Sequence, residues 1–272
     1  MTTTKFARRW KYGALINVSA QEALAYRVTM IIEWIVDAWS VLVMLYIWGT
    51  IFASQSTRIG VYDWAQMKTY LIIAHAINAF AISGVAWAVA AQIRDGDIVT
   101  HLTRPIDYVG ARFVEQFGGS LITGVIGAGL VTLLSVVFLR LMLPASLVAA
   151  LLFVVSLLAA YVVSFFVSFL LGLSTAWLMN NQGISWMVWY GGRLLSGAVI
   201  PLSLFPSWLS GLPYLTPFHC IVADPLAIYL GHVQGIDALR VIGLQALWAL
   251  GLYLFVRWIW PRAMRHLDVQ GG

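Results

Sequence analysis

The sequence predicts an all-α membrane protein of about six transmembrane helices. Three observations predict it. Hydrophobic residues make up 61% of the 272 and charged residues only 10%, whereas soluble domains carry about 25% charge. Long apolar runs recur along the chain, and a helix needs ~20 such residues to cross the hydrocarbon core. The charged residues gather in islands between these runs instead of alternating with them. A soluble fold of this length has no interior able to hide so much apolar surface, so lipid is the solvent for most of it. The whole of 1–272 reads as one transmembrane domain with no soluble domain attached.

Composition also narrows the function. The net charge is +5, but no basic face on a soluble body is visible, so nucleic acid is not expected as a partner. Cys220 is the only cysteine, which rules out a disulfide within the chain. Basic residues open the sequence without a compact apolar core and cleavage site, so no removable signal peptide is expected.

Residues 4–25 carry Lys5, Arg8, Arg9 and Lys11, with Phe6, Trp10, Ala14 and Val18 at every fourth position. That spacing makes one apolar helical face, and the pattern predicts an interfacial helix on an anionic leaflet. The first span is expected over Val28–Phe52. It holds Glu33 and Asp37 on one face. They sit shallowly near headgroup water, or they form a polar lining of a translocation path or an ion pair within the bundle, with Arg193 as the candidate partner. Residues 53–63 make a polar loop. The second span, Trp64–Ala91, contains His75 and Asn78, expected to hydrogen-bond between helices. No metal site is expected there, because ligands at metal spacing are missing.

The stretch QIRDGDIVTHLTRPIDYVGARFVE, beginning at Gln92, is the most polar island. Residues 92–116 are longer than a hairpin needs and carry both signs of charge, which predicts a docking element. Gln92–His101 is expected as a short helix, Pro105 as a turn, and Ile106–Gln116 as a second amphipathic piece. The third span, Phe117–Leu139, carries ladders of small residues. Gly119, Thr123 and Gly127 form one, Ser120, Gly124 and Ala128 another, and either suits close helix approach within the chain or between subunits. After a turn at Arg140–Pro144 comes the fourth span, Ala145–Leu173. Residues 174–183 turn the chain, with Asn180, Asn181 and Gln182 available to cap helix ends.

The fifth span, Ile184–Ile200, is short and places Arg193 near its centre, where a charge needs a partner or water; a structural salt bridge is expected ahead of a contact to an anionic substrate headgroup. Residues 201–236 hold five of the eight prolines and many apolar side chains. They are too broken to span and too apolar for an open loop, which predicts short re-entrant or interfacial helices. The last span covers Ala238–Trp260, with Arg257, Arg262, Arg265 and His266 at its end. Counting Lys and Arg puts both termini and the 92–116 loop on the cytoplasmic side of a cell membrane. No Gly-rich loop ending in Gly-Lys, no H-E-x-x-H and no Gly-x-Ser-x-Gly occurs, so the chain is not expected to be an enzyme.

Taken together, IRDGDIVTHLTRPID after the second span, SGAVIPLSLFPSWL and LPYLTPFHCIVADPLAIYLG resemble the type-2 ABC transporter permeases, the exporter-like membrane subunits of about six spans. The resemblance covers essentially the whole chain. It implies two membrane subunits, identical or related, paired with two cytoplasmic ABC ATPase subunits that hold ATP and Mg; no cofactor is implied in this chain. It assigns coupling to the ATPase to Arg94, Asp95, Gly96, Asp97, Arg104 and Pro105. It makes 4–25 a connecting helix and 201–231 the outer helices that close the exit. Substrate would pass between the two membrane subunits. Two other readings compete: a membrane scaffold or assembly protein that recruits a soluble partner, and a secondary transporter. The second is opposed by the lack of an internal repeat and of deep coupling carboxylates.

Overall fold

The computed structural model describes residues 27–55, 58–81, 84–102, 107–178 and 181–270. The expected interfacial helix at 4–25 lies outside them, as do Arg104, Pro105 and Asn180. Helix accounts for 78% of the structure, as an all-α chain requires.

Helix α1 spans Arg27–Gln55. Within the stretch read as a polar loop there is a two-stranded antiparallel hairpin, β1 (Arg58–Ile59) and β2 (Tyr62–Asp63), pairing Arg58 with Asp63. Asp63 then opens α2 (Trp64–Ala81). Its Oδ1 accepts from Gln66 N at 2.7 Å, and Gln66 Oε1 accepts from Asp63 N at 3.2 Å. This reciprocal capping satisfies two backbone donors that have no partner within the helix. Next come α3 (Val85–Arg94), α4 (Ile98–Leu102), α5 (Tyr108–Leu139), α6 (Leu147–Leu173), α7 (Gln182–Leu195), α8 (Ala223–Tyr229) and α9 (Gly235–Gln270).

Among the described residues, four helical stretches are long and apolar enough to cross a membrane: Trp34–Ser54, Trp64–Arg94, Leu147–Ala176 and Gly235–Leu267. Helix α6 is the centre of the bundle, packed against α2, α3, α8 and α9, while α2 also packs on α5. Helix α1 differs. Only 6% of its apolar window is buried, against 56% for Trp64–Arg94; Val41, Leu45, Trp48 and Phe52 pack on the core, while Ile31, Ile32, Ile35, Val36, Trp39 and Tyr46 are exposed.

Two glycines let helices meet backbone to backbone. A Cβ on Gly172 of α6 would lie 2.7 Å from Ala86 O of α3, and one on Gly124 of α5 would lie 2.8 Å from Phe80 Cα of α2. The Gly124 ladder therefore makes a contact within the chain. Between these seams lies an aromatic core in which Phe113, Phe117, Tyr161 and Phe165 meet edge-on or stacked. Such geometries suit ring quadrupoles.

The structure redraws three expected boundaries. Gln92–His101 is not one helix: α3 ends at Arg94, Gly96 takes φ +77°, and α4 starts at Ile98. That left-handed turn suits glycine, which pays no Cβ penalty there. Ile106–Gln116 is not a separate piece. Asp107 caps α5, its Oδ2 accepting from Gly110 N at 2.8 Å, and the helix then runs unbroken to Leu139. Finally, α7 has 14 residues, about 21 Å at 1.5 Å per residue. It stops because Gly197, at φ +82°, turns the chain. The Gly197 carbonyl accepts from Tyr70 Oη at 2.6 Å.

Residues 201–236 form short 3-10 turns at Leu202–Leu204 and Pro213–Leu215, followed by α8. Trp208, Tyr214 and Leu215 are exposed, whereas His219, Cys220, Val222, Leu226 and Ile228 are buried. Gln245 of α9 fastens the buried half. Its Nε2 donates to Cys220 O at 2.8 Å, and its Oε1 accepts from Ser156 Oγ at 2.9 Å. The 174–183 turn is held by Asn181, whose Nδ2 donates to Leu171 O at 2.8 Å. Asn181 thus satisfies the end of α6 and leaves the start of α7 without a side-chain cap.

Candidate functional site

The charged turn is built from both ends. Ile93 and Ile98 are buried and anchor it, while Arg94, Asp95, Gly96 and Asp97 between them are exposed. Asp95 N donates to Ala91 O at 2.9 Å, and Thr100 N donates to Asp97 O at 3.1 Å. The result is an exposed turn, held at both ends, that presents one cation and two carboxylates. His101 meets Tyr108 at 6.0 Å between ring centroids, and Tyr108 stacks on Trp260 of α9 at 5.0 Å. The turn, the start of α5 and the end of α9 therefore share one end of the bundle. At the other end, Lys68 Nζ donates to Leu139 O at 3.2 Å.

A cleft of about 320 Å³ opens between α3, α6 and α7, within the range typical of small-molecule sites. Trp87, Trp186 and Trp189 supply aromatic wall. Ser164 and Ser168 on α6, with Asn78 on α2, supply polar points. Trp186, Trp189 and Arg193 follow one another at helical spacing, so α7 presents all three to the cleft. The Arg193 guanidinium lies 5.0 Å from the centre of the Trp189 ring, a cation–π arrangement. Its Nε is buried without a hydrogen-bond partner.

The sequence offered Glu33 and Asp37 as partners for Arg193. In the structure Asp37 Oδ1 instead faces His75 Nε2 at 3.9 Å. That separation is too long for a hydrogen bond. No ion pair within 4.0 Å joins Arg193 to a carboxylate among the described side chains, and the Glu33 side chain lies outside them. Sequence reasoning missed the cleft's tryptophans, although their i, i+3, i+7 spacing with Arg193 was a usable signal. It also had no means of finding Ser164 and Ser168, which the packing of α6 against α3 brings to the cleft.

A family described as ABC-2 family transporter protein matches residues 39–271. The chain belongs to this family. The match begins inside α1 and takes in both the charged turn and the cleft, so the ABC-2 assignment rests on nearly the whole bundle. As an ABC-2 chain with four helices long and apolar enough to cross a membrane, it is a multi-pass membrane protein and a component of transport. No curated protein matches it.

Proposed function

We propose that the chain is the permease subunit of an ATP-driven ABC exporter. It acts as one of two membrane subunits, identical or related, served by cytoplasmic ATPase subunits that bind ATP and Mg. The observation that carries this reading is the exposed, mixed-charge turn at Arg94–Asp97 on a chain of the ABC-2 family. Mixed charge at a protein contact gives register and specificity. In this reading Arg94, Asp95, Gly96, Asp97, Arg104 and Pro105 dock into the ATPase. Both termini are cytoplasmic, residues 4–25 lie on the membrane surface, and 201–231 close the outer exit. The full count of six spans takes α5 and α7 as additional crossings. The exposed apolar side of α1 meets lipid or the second permease.

The cleft favours transport over a scaffold role. Its aromatic walls suit an apolar body, and Arg193 suits an anionic group. ATP binding shifts the subunit pair between inward- and outward-open arrangements, to the extent that substrate and nucleotide bind the two differently.

The test is purification of the tagged chain from its native membrane in mild detergent, with identification of its companions and an ATP hydrolysis assay. The expected outcome is a stoichiometric P-loop ATPase with vanadate-sensitive turnover. A chain isolated without an ATPase, at an expression level that saturates partners, overturns the reading in favour of a scaffold or a secondary transporter.

A further inference from the structure

Within the proline-rich segment, His219, Cys220 and Asp224 bring three metal-type donors together. His219 Nε2 lies 3.5 Å from Cys220 Sγ and 3.6 Å from Asp224 Oδ2, and all three atoms fall within 4.8 Å of one another. His219 and Cys220 are fully buried, and Asp224 nearly so. A tetrahedral Zn²⁺ with bonds of ~2.0–2.3 Å to nitrogen, oxygen and sulfur sets its ligand atoms about 3.4–3.6 Å apart. The observed separations from Nε2 match that edge length without rearrangement.

Proton placement argues in the same direction. His219 Nδ1 lies 2.8 Å from Thr216 O. A carbonyl only accepts, so Nδ1 carries a proton, and Nε2 is the ring nitrogen turned toward Cys220 and Asp224. This is the arrangement of a ligating histidine, whose second nitrogen is held by a carbonyl. Asp224 Oδ2 is buried and faces Nε2 at 3.6 Å, with the Cys220 thiol beside both. Three metal-type donor atoms therefore face one another out of water. Leaving a buried acceptor unpaired is costly, and a cation at the centre satisfies all three groups at once.

The backbone is fixed before any ion arrives. Asp224 N donates to His219 O at 3.2 Å, Ala223 N to Ser196 O at 3.0 Å, and Gln245 Nε2 to Cys220 O at 2.8 Å. We propose that His219, Cys220 and Asp224 form a binding site for one Zn²⁺ ion per chain, with water at the fourth corner. The thiolate and imidazole favour zinc over magnesium or calcium. The ion braces the turn at Thr216 against the start of α8, and this assignment is independent of the transport reading.

The test uses the full chain without a polyhistidine tag, purified in detergent, stripped with a chelator under reducing conditions, and titrated with Zn²⁺ and separately with Co²⁺. One Zn²⁺ per chain is expected, along with a rise in thermal midpoint. Co²⁺ should give tetrahedral visible bands and a thiolate-to-metal charge-transfer band. With Cys220 the only cysteine, that band reports one residue. Cys220→Ser should abolish the band and the thermal shift while its metal-free midpoint stays near the parent's, and Asp224→Asn should weaken uptake at least ~10-fold. Should Cys220→Ser fail to fold, the charge-transfer band of the parent still decides. Zinc uptake far below one equivalent, no thiolate band, or equal uptake by a folded Cys220→Ser protein overturns the assignment.

Discussion

Arg257 of α9 donates from Nη1 to Asp107 Oδ1 at 3.3 Å, joining residues 150 positions apart. The other oxygen of the same carboxylate caps α5 through Gly110 N. The two roles separate by mutation. Asp107→Ala removes the cap and should lower stability by about 1 kcal/mol. Asp107→Asn keeps a capping oxygen, and Arg257→Ala breaks only an ion pair whose partners are about half exposed, worth about 0–1 kcal/mol. Thermal unfolding in detergent should place Asp107→Ala lowest, with the other two near the parent. Asp107→Asn falling as far as Asp107→Ala would show that the ion pair matters more than the cap.

Reversal of charge at Asp95 and Asp97 should release the ATPase without disturbing the membrane bundle. Both side chains are exposed, and surface changes of this kind usually stay within about ±0.5 kcal/mol. The expected result is a normal thermal midpoint with loss of the co-purified ATPase. Retention of the ATPase in the double Lys variant removes the turn from the docking surface.

Gly172→Ala should be costly because the new methyl meets the Ala86 carbonyl oxygen and Val89 Cβ at 2.7 and 2.8 Å. Overpacking of this kind costs about 1–3 kcal/mol. Gly183→Ala is the control, since nothing lies within 4 Å of the added atom there. A lowered midpoint for the first and an unchanged or raised one for the second is the expected pair of results. Equal midpoints would mean that α3 and α6 separate freely.

Gln245→Ala strips the Cys220 carbonyl and the Ser156 hydroxyl of their buried partner. Unpaired groups of this type cost about 1–3 kcal/mol each. A lower midpoint is expected, together with earlier protease cleavage within 201–231. An unchanged cleavage pattern would show that the segment is held by other contacts.

Arg193→Leu should leave the thermal midpoint near the parent's and abolish substrate-stimulated ATP hydrolysis, because the cation faces the cleft and pairs with no described carboxylate. A folding defect with normal stimulation would return Arg193 to a structural role.

The helical character was legible because a twenty-residue apolar run has few other solutions in water or lipid. The charged turn was legible in position but not in shape. Ile98 looked like one more member of a helix from Gln92, and only Gly96, with its positive φ, divides that helix in two. Gly124 announced a close contact without saying with what, and its neighbour Phe80 is 44 positions away in sequence. The cleft was hidden for the same reason: Asn78, Ser164 and Arg193 lie on three helices, and no local period links them. His219 and Cys220 stood side by side in the sequence, but Asp224 reaches them only after the chain has turned into α8. A search for paired cysteines passes over such a set.

Helix α3 ends in the exposed turn and, a few residues earlier, supplies Trp87 to the cleft wall. At Gly172, α3 and α6 approach closely, with the Ala86 backbone and Val89 Cβ lying against the glycine. In the proposed docking role, a push on Arg94 would act at one end of a helix of ten residues, about 15 Å long, which packs on the central helix of the bundle. The proposed docking turn and the cavity wall belong to the same helix, so a tilt imposed on the turn would change the shape of the cleft in the same motion.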